Sequence, residues 1–90
     1  MHNHCPNYVA VMRAIAERDG FALVAYRRLL ADADAFALVL SDPSKVGKRH
    51  YVTAFVDLDG PLEPSDLIHR LTLDEASANI NARALAAQEA

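Results

Sequence analysis

Apolar residues at Tyr8, Val11, Met12, Ile15 and Ala16 repeat with the 3-1-3-1 spacing of one helical face, and Asn7 and Gly20 bracket the run as start and stop signals. The pattern predicts a helix over residues 8–19. Near the other end, Thr72, Leu73, Asp74 and Glu75 form a capping box, in which the threonine oxygen accepts from the Glu75 amide and the glutamate reaches back. A second helix is predicted from there, its apolar positions Leu73, Ala76, Ile80, Ala84 and Ala87 stepping by three and four. Between the helices the period changes. Residues 35–40 (Ala-Phe-Ala-Leu-Val-Leu) and 51–56 (Tyr-Val-Thr-Ala-Phe-Val) are short apolar runs bounded by turn residues, and both read as strands. Residues 21–30 fit a helical face through Leu23, Tyr26, Leu29 and Leu30, and also a broken alternation through Phe21, Leu23, Ala25 and Leu29. The repeat of Phe-Ala-Leu-Val at 21–24 and 36–39, with the tight Asp32-Ala33-Asp34 connection, favours a strand in a hairpin.

The expected class is therefore α+β, a three-stranded antiparallel sheet flanked by N- and C-terminal helices in the order α-β-β-β-α. Residues 1–6 read as a flexible start and 7–90 as one small domain. Residues 57–66 carry four acids, two prolines, one glycine and no base, an ordered but irregular connection. Leu67, Ile68 and Leu71 then return the chain to the core.

Composition narrows the partners. Nine basic and twelve acidic residues leave a net charge of −3, a field that repels a polyphosphate chain. The longest apolar runs fall well short of a membrane span. The start of the chain has no unbroken apolar segment of the signal type, and the one cysteine cannot form an internal disulfide, so a cytoplasmic location is expected.

The α-β-β-β-α order is shared with double-stranded-RNA-binding domains, and Lys45, Lys48, Arg49 and His50 on the central hairpin extend the comparison. That family grips phosphates with lysines at the start of its second helix, where this chain has Asp74 and Glu75. The similarity ends at topology. A nucleic-acid-binding regulator using Lys45, Lys48 and Arg49 is the alternative function, and nucleic acid is not the expected partner.

Other chemistries are less well supplied. His2, His4 and Cys5 are three metal-ligating types in four residues, but a tetrahedral site needs a fourth, from His50 or His69. No metal or cofactor is expected. A calcium loop starting at Asp57 would require a carboxylate where Ile68 stands, and Gly47-Lys48 lacks the upstream glycine of a phosphate loop. Ser41, Ser44, Ser65, Ser77 and Cys5 lie in no nucleophile turn, so a non-enzymatic role is expected.

The sheet remains. Alternation sends Val52, Ala54 and Val56 to one side and Tyr51, Thr53 and Phe55 to the other. With both helices assigned to one face, the aromatic side is left open as an association surface. The expected function is a small protein-binding module, a modulator or inhibitor of a larger complex of the kind found on phages and mobile elements, or a homodimer. The expected contact residues are Tyr51, Thr53, Phe55, Asp57, Asp59, Glu63 and Asp66, the carboxylates competing with phosphates for a basic groove.

Overall fold

A computed structural model describes residues 7–29 and 34–89. The chain is α+β, and its sheet has four strands rather than the expected three. Helix α1 (Tyr8–Arg18) leads into β1 (Ala22–Arg28), β2 (Ala35–Ser41), β3 (Tyr51–Asp57) and β4 (Ser65–Leu71), and α2 (Leu73–Glu89) closes the order. The strands form an antiparallel meander, β1-β2-β3-β4.

The helix signals act as their chemistry requires. The Asn7 side chain accepts from the Ala10 amide at 3.1 Å. At the other end Gly20 (φ +85°) donates to Glu17 O while Phe21 donates to Ala16 O, the paired bonds of a Schellman stop whose left-handed residue is best glycine. The capping box of α2 is complete: Glu75 N donates to Thr72 Oγ1 at 3.2 Å and Thr72 N to Glu75 Oε1 at 2.9 Å.

The helices lie on opposite faces of the sheet. Met12, Ile15 and Ala16 of α1 pack on Phe36, Leu38, Leu40, Val52, Ala54 and Val56. Ala76, Ile80 and Ala84 of α2 pack on Leu29, Ala37 and Val39, with Tyr51 and Phe55 against the same cluster. The expectation of an open aromatic face is thus corrected: α2 covers it, and Thr53 at its centre is fully buried. The physical reason is in β2, whose apolar run is buried at five consecutive positions. A strand apolar on both sides requires a cover on both sides.

Both edge strands are irregular. In β1 the register shifts between Leu23 and Ala25, and in β4 it shifts twice, leaving Ser65, Ile68 and Leu71 opposite Phe55, Thr53 and Tyr51. Asp66 (φ 53°) and Arg70 (φ 62°) take left-handed conformations within these bulges. Bulges at an edge twist it away from further pairing, so neither edge is a flat template for strand addition. The doubled bulge also explains the missed strand. Six of the seven β4 residues are exposed and the alternation is broken, leaving no period of two to read.

Candidate functional site

The connection between β3 and β4 folds back beside α1, on the face opposite α2. Asp57 shapes its first turn by accepting from Asp59 N at 2.9 Å through Oδ1 and from Gly60 N at 3.2 Å through its carbonyl. Leu58 N donates to Asp34 O at 2.8 Å, tying the turn to β2. Further on, Arg18 Nη2 reaches from the end of α1 to Leu62 O at 2.7 Å. These contacts frame a cleft of about 350 Å³ lined by Tyr8, Val11, Asp34, Leu58, Asp59 and Leu62.

Its floor is apolar and its rim acidic. Val11 is 37% and Leu62 44% exposed, while Tyr8 and Leu58 are partly buried against the core. Arg28 holds the Tyr8 wall: its guanidinium lies 5.2 Å from the Tyr8 ring centre and 4.9 Å from that of Phe36, and bonds Asp34 at 3.2 Å. The hydrogen bond to Asp34 raises the Arg28 pKa above its ordinary value. Asp59 is the other carboxylate of the lining. Asp57, Asp59 and Glu63 are exposed and make no ion pair among the described residues. Asp57 and Glu63 line a separate hollow of about 200 Å³ with Pro61, Pro64 and Ser65.

The expected contact residues therefore divide. Asp57, Asp59 and Glu63 come together along the connection. Asp66 sits instead at the α2 side of β4, lining a hollow with Leu29, Phe55, Arg83 and Ala87, and its carbonyl accepts from Arg83 at 3.2 Å. Tyr51, Thr53 and Phe55 lie beneath α2. Tyr8, Val11 and Leu62 were not singled out as site residues, although Leu62 is a large apolar side chain set among acids and prolines.

At the opposite end of the sheet, the basic hairpin is partly committed. Arg49 Nη1 bonds Glu75 at 2.8 Å and the Arg70 carbonyl at 3.3 Å, while Lys48 borders a cleft shared with Asp74, Thr72 and Leu73. His2, His4 and Cys5 fall outside the described residues, as do residues 30–33. Among the described residues, no three His, Cys, Asp or Glu side chains are grouped to hold a metal ion, and no helix is long and apolar enough to cross a membrane. Comparison of the chain with known protein families, curated proteins and solved structures finds no match.

Proposed function

We propose that the chain is a non-catalytic protein-binding module, a modulator or inhibitor of a larger complex, that engages its partner through the cleft between α1 and the 57–65 connection. The observation that carries this reading is the exposed apolar floor of Val11 and Leu62 with Asp59 in its lining and Asp57 and Glu63 on the same connection, none of the three in an ion pair among the described residues. An apolar centre with a polar rim is the composition of an interface, and its volume admits one bulky side chain. The partner's chemistry follows by complementarity: a protein surface presenting an aromatic or branched apolar anchor flanked by lysine or arginine. A protein that binds phosphates through such a groove is a fitting target. Self-association through this cleft is disfavoured, because two copies would bring like charges face to face.

The test is affinity capture from the source cell with partners identified by mass, comparing the native protein with an Asp57→Asn, Asp59→Asn, Glu63→Gln variant. Asparagine at 57 keeps the acceptor that shapes the turn. The expected result is a protein captured in a salt-sensitive manner by the native chain and lost by the variant at an unchanged melting midpoint. Identical capture by both would contradict the proposal.

A further inference from the structure

At the end of the sheet remote from the acidic cleft, Asp42, Lys45, Arg49, His50, Val52, His69 and Arg70 line a second cleft of about 170 Å³. Three elements converge on it. The 42–50 loop is closed at its base by Asp42 N bonding His50 O at 2.8 Å, and Lys45 N bonds Asp42 O at 3.1 Å. The His50 Nδ1–H donates to Gly47 O at 2.6 Å, which fixes the ring. From β4, the second bulge holds Arg70 at φ 62°, and His69 beside it lies 6.5 Å, ring centre to ring centre, from Phe21.

The charges of this cleft are unbalanced. Lys45, Arg49 and Arg70 bring three permanent cations against Asp42 in the lining and Glu75 on Arg49, a difference of 3 − 2 = +1 in a chain of net charge −3. Asp42 already accepts from Ser44 N at 3.0 Å and Ser44 Oγ at 2.6 Å through one oxygen. Glu75, outside the lining, bonds Arg49. Lys45 and Arg70 make no ion pair among the described residues.

We propose that this cleft binds a single phosphate group carried by a small molecule. A phosphate monoester bears about −1.5 to −2 at neutral pH, opposite in sign to the cleft's excess. At about 30 Å³ per water, the space holds one such group with a few waters. Guanidinium, ammonium and imidazole donors approaching from the loop and from β4 suit its tetrahedral oxygens. An extended nucleic-acid strand is the poorer occupant, because Asp74 and Glu75 stand next to the cations and the whole molecule is acidic.

The experiment is a titration of the intact ¹⁵N-labelled protein with inorganic phosphate at ionic strength held constant with chloride. The expected result is saturable shifts confined to Lys45, His50, His69 and Arg70. Lys45→Gln and Arg70→Gln should each weaken binding about tenfold, the worth of one charge-assisted bond, while Arg13→Gln on the exposed side of α1 leaves it unchanged. Lys45 is on an exposed loop, so its variant carries the test if Arg70→Gln fails to fold. Shifts that do not saturate, or equal weakening by Arg13→Gln, would overturn the proposal. An oligodeoxynucleotide without terminal phosphate that binds more tightly through the same residues would also overturn it, in favour of a strand-binding site.

Discussion

Thr53 is fully buried at the centre of β3, and its hydroxyl oxygen has no hydrogen-bond partner among the described residues. A threonine there keeps the β-branched shape that packs well in a central strand, yet it leaves a polar atom desolvated without compensation. Thr53→Val preserves shape and removes the hydroxyl. It should raise stability by about 1 kcal/mol, read as a higher denaturant midpoint with an unchanged slope. A midpoint lowered by a similar amount would show that the hydroxyl is satisfied. Phe55, two residues along on the same face, gives the opposite expectation. It packs against the cluster under α2, so Phe55→Asp places a charge among apolar groups and should cost about 3 kcal/mol or more, seen as a large fall in melting midpoint. Retained stability would mean that α2 does not cover this face.

At the level of the elements, the second helix depends on its first turn. Thr72→Ala removes the oxygen that accepts the Glu75 amide and should cost about 1 kcal/mol in a melting experiment. The Glu75 carboxylate is held below its usual pKa first by the Thr72 backbone N–H and further by Arg49. A lowered carboxylate pKa gives stability that is complete above the unfolded value and lost as pH falls through the folded one. Glu75→Gln should therefore melt below the native protein at neutral pH, and the gap should close below the ordinary carboxylate range. A gap that widens in acid would contradict this origin. Both helices were legible because capping residues and apolar spacing agree, as were β2 and β3, whose runs are continuous. β1 stayed ambiguous because its bulge at residues 23–25 interrupts the alternation. β4 was illegible because its two bulges and exposed edge leave no hydrophobic period. The layering was readable in principle from the unbroken run of β2, which demands apolar cover on both sides.

Over the whole molecule, the meander separates two ends of different character. The β2–β3 loop and the start of α2 gather the hairpin cations at one end, and the β3–β4 connection gathers, at the other, carboxylates that make no ion pair among the described residues. The acids of the candidate site were legible as a compositional shift. Their apolar partners were not, because Tyr8 and Val11 reach the cleft only through the packing of α1, which sequence spacing does not specify. With α2 on the aromatic face and bulges on both edges, the cleft beside α1 is where apolar surface and uncompensated charge coincide. Its most direct test is Leu62→Asp, which puts a charge on the exposed apolar floor while leaving the backbone carbonyl that Arg18 bonds. The measurement is the affinity of this variant for the captured partner beside its melting midpoint. The account predicts a midpoint close to native and a loss of affinity of about tenfold or more. Native affinity in a folded Leu62→Asp protein would contradict it.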